Sequence, residues 1–376
     1  MPLRPLVSII IDNYNYSRFL THAIDSALNQ THPNVEVIVV DDGSTDESGD
    51  IMLGYGDCIT AIFKPNGGQA SALNLGFAHA HGDIVIFLDA DDVLLPETAG
   101  RVAQAFYERP GTAKVQYRVE IIDERGERSG QILPYPHQRM PSGFLAEQVM
   151  KFPADLVWLG MSGNAFAACV LRSILPIPEQ EFRTLADYYL CHLAPLFGPI
   201  VSLEEVGALY RIHGSNSYSS RGLNLGAVRD SATHWQKTRV YIADFANRLG
   251  LPGRPSKPED ILSVAHVINR AISLKLEPSR HPFEEDNLWR LLTLGAIASA
   301  RRFDVSFAMK LLYVLWFAAL VLAPKPFDRW LAEQAMVPPS RGRLNRLLGR
   351  LQPTGPVEDY PDSSTAPVGR TLENPE

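Results

Sequence analysis

Cysteine is scarce: Cys58, Cys169 and Cys191 are the only three in 376 residues. An odd, widely spaced set points to neither a disulfide framework nor a thiolate zinc site, and a reducing compartment suits it best. Positive charge is not in excess either. The chain has 35 Lys and Arg against 42 Asp and Glu, for a formal net charge of -7 and a pI near 5.8. That balance argues against a nucleic-acid partner held by a broad basic face, and leaves only a local patch open. No G-x-G-x-x-G follows the first strand-like run, so a dinucleotide-binding motif is missing. Met1 to Ser8 lacks the apolar run and small-residue cleavage site of a secretory signal, and the expected location is the cytoplasm. Long hydrophobic runs are missing too. Leu311 to Ala323 is uninterrupted for thirteen residues, short of the ~20 that span a bilayer.

What is present is material for a large core, with 45% hydrophobic residues, in a chain long enough for a catalytic domain plus an appendage. Leu6 to Ile11 and Val35 to Val40 are β-branched, nearly continuous apolar runs, as expected of strands buried on both faces of a parallel sheet. Between them Leu20, Ala23, Ile24, Ala27 and Leu28 recur on one helical face, with Ser17 as the expected N-cap. The alternation continues through Ile59 to Phe63, a helix over about Ala70 to Ala80 with Gly82 at its exit, and a strand at Ile84 to Leu88. A doubly wound α/β domain follows, in which ligands bind beyond the carboxyl ends of the strands. A strand at Val115 to Ile122 and a turn at Glu124 to Gly126 come next. From Gly226 the chain reads as helical, with Val228, Ala232, Trp235, Ile242, Phe245 and Leu249 on one face and a break at Gly250 to Pro258. The expected divisions are 1–225, a helical region 226–352, and a disordered polar, Pro-rich tail 353–376.

Two acidic turns follow strands on the same sheet edge. The second strand runs into Asp41-Asp42-Gly43-Ser44-Thr45-Asp46, where a fixed carboxylate could accept a pyrimidine ring N–H, or could simply build an Asx turn. The fourth strand runs into Asp89-Ala90-Asp91-Asp92. Three acids in four residues repel one another unless a cation lies between them, and Mg²⁺ or Mn²⁺ prefers such oxygen ligands together with phosphates. The alternative is a solvated turn capping the next helix.

These segments, together with Val7 to Asn15 and Asn66-Gly-Gly-Gln69-Ala-Ser-Ala-Leu-Asn74-Leu-Gly76, occur in unbroken order over about residues 5 to 110. In this the chain resembles family-2 glycosyltransferases of the GT-A fold, an α/β doubly wound mixed sheet flanked by helices. The resemblance implies an inverting transferase that moves a sugar from a nucleotide diphosphate donor, UDP-sugar favoured, to a hydroxyl of a glycan or lipid-linked acceptor. It implies that Asp42 accepts from the base with Tyr14 stacking nearby, and that Asn66, Gln69 and Asn74 line the nucleotide pocket. Asp89, with Ala90 beside it, would hold ribose or metal, and Asp91 a divalent metal, Mn²⁺ or Mg²⁺, bridging the phosphates. Asp12 stands where the family commonly has Pro or Thr, which alters the donor loop.

Asp187 is the candidate general base, at a helix start similar to the family's acidic one, with Ala186 where the family often has Glu. Downstream, Tyr210-Arg211-Ile-His213-Gly-Ser-Asn216 is similar to the family's Tyr-Arg-x-His element; Arg211 would neutralise the diphosphate, and His213 would touch phosphate or metal. Each has a structural alternative, as an ion pair or a satisfied interior histidine. A second reading from another class is a non-catalytic sugar-nucleotide or glycan-binding subunit, which Ala186 invites. A nucleotidyltransferase is disfavoured because the loop after Ile11 has neither glycine nor a basic run before Arg18.

The apolar stretch Leu311 to Ala323 reads as a buried helix. Its flanks, Arg301, Arg302, Lys310, Lys325 and Arg329 with Trp316, Phe317 and Trp330, and the further arginines 341, 343, 346 and 350, also suit peripheral membrane contact through 301–350, at the cytoplasmic face of the inner membrane.

Overall fold

A computed structural model describes residues 4–214 and 223–336. Asn216, the arginines from 341 to 350 and the 353–376 tail lie outside them. The described chain divides into two compact units, the first of residues 4–146 and 157–213, the second of residues 147–156, 214 and 223–336.

The first unit begins β1 (Val7–Asn13), α1 (Ser17–Leu28), β2 (Val35–Asp41), α2 (Ser48–Gly54), β3 (Thr60–Phe63), α3 (Gln69–Ala78) and β4 (Ile84–Asp89). It continues with β5 (Val93–Leu94), α4 (Thr98–Glu108), β6 (Lys114–Ile122) and β7 (Arg128–Leu133). After α5 (Ala146–Lys151), most of which belongs to the second unit, come β8 (Asn164–Ala167), α6 (Ala168–Ile174), α7 (Asp187–Leu193) and β9 (Ile200–Arg211).

The strands form one mixed sheet in the order β3-β2-β1-β4-β8-β6-β9-β5, with β7 on β6. β1, β2, β3 and β4 run parallel to one another, while β8 is antiparallel to both β4 and β6. Ile9, Ile10 and Ile11 of β1 and Val85 to Leu88 of β4 are fully buried, which is why these strands lack polar alternation. Register places Asp12 opposite Asp89 and Asn13 opposite Asp41, so the parallel strands deliver their acids to one rim.

Two local expectations are corrected. Ser17 is the first helical residue and not the N-cap: Tyr16 precedes it without a side-chain cap, and the Ser17 N–H donates to Asp46 at 2.9 Å. A carboxylate from the β2 loop thus does the capping. Gly82 is four residues past the end of α3; it is required by Ser8, whose Oγ would lie 2.5 Å from an added Cβ.

The second unit is helical: α8 (Leu225–Arg248), α9 (Val264–Leu276), α10 (Leu288–Arg301), α11 (Phe307–Leu322) and α12 (Lys325–Met336). Val228, Val267, Ile272, Leu291, Phe317 and Leu320 form its core. The 147–156 segment is tied in by Asp155, which accepts from the Val264 and Ala265 N–H groups at 2.8 and 2.7 Å and pairs with Arg302 at 3.2 Å. Helices α10 and α11 pack closely because Gly295 has no Cβ; one would meet the Phe317 ring at 2.5 Å. α11 is buried along one side only, through Met309, Phe317 and Leu320. Among the described residues no helix is long and apolar enough to cross a membrane.

Candidate active site

The nucleotide-side loop is built from short polar contacts at the ends of β1 and β2. Asn13 donates to Asp41 at 2.9 Å and to Ser44 at 3.1 Å, and the Ser44 N–H returns to Asp41 at 3.0 Å. Asp42 is buried and closes on the segment before α3: it accepts from Lys64 Nζ at 2.5 Å and from the N–H groups of Gly67 and Gly68 at 2.8 and 2.7 Å. Gly43 makes this closure feasible, with φ +77° and room for no Cβ, since one would sit 2.7 Å from the Asn66 nitrogen. A helix start can offer its free N–H groups to an anion, but those before and at the start of α3 are already engaged, two by Asp42 and that of Gln69 by the Arg183 carbonyl at 2.8 Å. Arg183 also bonds Asn66. Asn74 fastens the segment beyond it instead, donating to the Ile177 carbonyl at 2.9 Å and accepting from its N–H at 2.8 Å. Tyr14 is about half exposed at the end of β1.

At the rim of β1 and β4 four carboxylates gather. Asp12 has a buried Oδ1 with no hydrogen-bond partner, and its pKa is raised to about 7, first by burial and next by Asp91. Asp89 accepts from Gln69 Nε2 at 3.0 Å, and burial, then Asp12, Asp92 and Asp91, hold its pKa well above the carboxylate range. Asp92 is buried, raised by desolvation and by Asp91, and receives the Arg211 N–H at 2.9 Å. Asp91 pairs with His213 at 3.0 Å, and the imidazole lies against Phe19 and Tyr16 at 4.9 and 5.6 Å. Arg211 is buried, donates to the carbonyls of Asp91 and Asp123 at 2.7 and 3.2 Å, and stacks over Phe19. Ala90 is buried between the acids.

Asp187 opens α7, and its pKa is raised to about 6 by burial, against the opposing pull of the Tyr188 N–H and the Lys114 cation. The residue two before it, Leu185, has φ +59°, a strained setting for a branched side chain. Gln69 links the two groups of acids: its Nε2 binds Asp89, and its Oε1 accepts from the Ala186 N–H at 3.2 Å. Lys114 was missed in the sequence. It is fully buried, held by Asn164 at 2.8 Å and Gln116 at 3.1 Å, and lies 4.5 Å from the Trp158 ring centroid. Its one signal was a cation directly before the strand-like segment Val115 to Ile122, and that segment's own Arg118 and Glu120 blurred it.

The metal ligands expected from the sequence are brought together only in part. Among the described residues no three His, Cys, Asp or Glu side chains form a ready metal-holding group; His213 Nε2 lies 3.0 Å from Asp91 and Gln69 donates to Asp89. The donor set nevertheless fits a hard cation. All-oxygen ligands, mutual repulsion among Asp12, Asp89, Asp91 and Asp92, and the unpartnered Asp12 Oδ1 are each relieved by a positive charge.

A mixed sheet that turns antiparallel after β4 and collects buried acids at the ends of its parallel strands is of the GT-A type, and the class it defines here is a glycosyltransferase. The family model for glycosyl transferase family 2 matches residues 8–168. An uncharacterized glycosyltransferase of Nostoc sp., alr2836, is 36% identical over 253 residues, covering 66% of this chain and 78% of that protein. The chain belongs to this family. An uncharacterized glycosyltransferase of Rickettsia prowazekii, RP339, is 52% identical over 92 residues, 24% of this chain and 29% of that protein. The crystal structure of S. aureus TarS 1-349 in complex with UDP-GlcNAc has a TM-score of 0.51 and 18% identity, covering 88% of this chain and 91% of that one; that likeness is one of fold.

Proposed function

We propose that the protein is an inverting, metal-assisted glycosyltransferase that takes its sugar from a nucleotide diphosphate donor and passes it to a hydroxyl of a glycan or lipid-linked acceptor. The observation that carries this is the pairing of a rim of mutually repelling acids (Asp12, Asp89, Asp91, Asp92) with one separate acid, Asp187, whose neighbour Ala186 is tied to that rim by its backbone N–H through Gln69. A divalent ion held by Asp91 with Asp89 or Asp12 would offset the charge that develops on the departing β-phosphate.

The protein's own groups account for the rest. Asp187, with its pKa near 6, is ionised at neutral pH and still basic enough to take the acceptor hydroxyl's proton. The acceptor oxygen then bonds to the anomeric carbon as the bond from that carbon to the diphosphate oxygen breaks, and the electron pair leaves with the nucleoside diphosphate. Attack opposite the leaving group inverts the centre, through an oxocarbenium-like transition state by analogy with glycoside hydrolysis. His213 and Arg211 hold Asp91 and its backbone in place. Asp42, with Tyr14 exposed nearby, borders the base side of the loop. A uridine donor is favoured by the resemblance and is in keeping with the UDP-GlcNAc bound by TarS.

The test is a screen of nucleotide sugars with Mn²⁺ or Mg²⁺, scoring nucleoside diphosphate release. Release that disappears in Asp187→Asn, with donor affinity retained, supports the proposal. Ala186 favours a second reading, a binding subunit, and a protein that binds donor but never releases nucleoside diphosphate with any acceptor would establish that reading instead.

A further inference from the structure

Helix α11 has an apolar face that none of the described residues of its own unit covers. Phe307, Leu311, Leu315 and Leu322, at spacings of four, four and seven, lie on one side, with Phe307 81% and Leu322 70% exposed. Leu312 widens the same face. Met309, Phe317 and Leu320, on the other side, are buried. At sixteen residues the helix is about 24 Å long, too short to cross the ~30 Å of bilayer hydrocarbon. Its neighbours carry exposed aromatics: Phe327 and Trp330, three apart on α12, and Trp289 on α10.

Charge selects the occupant. The described residues 301–336 carry five Lys and Arg (301, 302, 310, 325, 329) against three acids (304, 328, 333), and in sequence residues 337–350, which lie outside the described part, add four arginines (341, 343, 346, 350) and no acid, in a chain whose total is -7. Arg302 is consumed by Asp155 and Asp304 and Arg329 pairs with Glu333 at 3.2 Å, while Arg301 is exposed, and no acid follows Glu333 until Glu358. A second copy of the chain docking about a two-fold axis would bring this basic stretch against itself. An anionic bilayer surface satisfies both features, taking the leucines and Phe307 below the headgroups and leaving arginine and tryptophan at their level.

We propose that α11 and its flanks are a membrane-interface docking surface for anionic lipid, with the helix lying in the bilayer plane. This does not depend on the transferase reading. The experiment is flotation of the full chain with vesicles of phosphatidylglycerol and phosphatidylcholine in equal proportion, and with phosphatidylcholine alone. The wild type should float with the mixed vesicles, lose most of that binding in high salt, and bind phosphatidylcholine at least fivefold more weakly, roughly the effect of one basic residue. Leu311→Gln/Leu315→Gln, at side chains half or more exposed, should lower vesicle binding roughly tenfold or more, with an unchanged melting temperature. Brominated lipid should quench tryptophan emission in the wild type, a readout that needs no variant.

A wild-type chain that stays with the unbound fraction, or a double variant that floats as well as wild type, overturns the proposal. A concentration-dependent dimer that the double variant dissociates, without vesicle binding, assigns the face to a second copy. Flotation only after removal of residues 337–376 assigns it to that segment. Nucleoside diphosphate release by the double variant without vesicles reports separately on the catalytic reading.

Discussion

Replacing Asp187 by Asn should make the protein more stable and inactive. Burial raises the Asp187 pKa from the usual 3.8 to about 6, so holding this carboxylate ionised at neutral pH costs folding about 3 kcal/mol, at 1.36 kcal/mol per pH unit. A carboxyl raised in the folded state contributes stability below pH 3.8, and that contribution is lost as pH climbs through about 6. The amide cannot titrate, and Asn keeps an oxygen for the Tyr188 N–H. Its lost attraction to Lys114 makes about 3 kcal/mol an upper figure. Thermal melts of wild type and D187N should therefore coincide below about pH 4, separate as pH rises to about 6 and stay apart above it, with D187N higher by roughly 5 °C at pH 8, while sugar transfer falls by a factor of about 100 or more. A variant that melts at or below wild type at pH 8, or a gap that does not grow with pH, would refute the assignment of Asp187 as a charge held against its surroundings.

Three further outcomes follow from the same contacts. The kcat/KM profile should rise with pH through about 6 as Asp187 ionises, and Lys114→Gln, which removes a cation favouring that ionisation, should move the limb to higher pH; a limb that stays put or moves down contradicts the coupling. Mn²⁺ at 100 times its dissociation constant should stabilise the wild type by about 2.7 kcal/mol and displace protons from Asp12, whose pKa is near 7. Calorimetric enthalpies would then depend on the buffer, and both effects should vanish in Asp89→Asn/Asp91→Asn. Gly43→Ala, at φ +77° and 2.7 Å from the Asn66 nitrogen, should cost roughly 1–3 kcal/mol and raise donor KM by loosening Asp42 from Gly67 and Gly68, measured by melting and by initial rates.

The parallel half of the sheet could be read directly because β1, β2 and β4 are buried over most of their length and left nearly continuous apolar runs with acids at their ends. The antiparallel half was less legible. β8 is four residues of small and aromatic type, and β9 is polar enough along its length to leave no clear period. Contacts made far along the chain were also hidden: Asp46 capping α1, Asp155 capping α9, and Lys114 lying near Asp187 all depend on tertiary placement, to which local patterns are blind. Asn66 to Asn74 read as one pocket-lining segment, yet its two asparagines bind Arg183 and the Ile177 backbone, since polar side chains in a turn and at a helix face serve chain closure as readily as ligands. The apolar run Leu311 to Ala323 located α11, which starts four residues earlier at Phe307 and ends at Leu322, but it showed nothing of the helix's one-sided burial, because it is apolar all the way round.

The most direct test is a crystal structure with an intact nucleotide sugar and Mn²⁺. It should show the ion bound by Asp91 with Asp89 or Asp12, at about 2.0–2.2 Å from their oxygens as for a small hard cation, joined to both phosphates, with Asp187 facing the anomeric carbon from the opposite side. A nucleotide seated away from the rim of β1 and β4, or one bound there with no ion on these aspartates while transfer still proceeds, would contradict it.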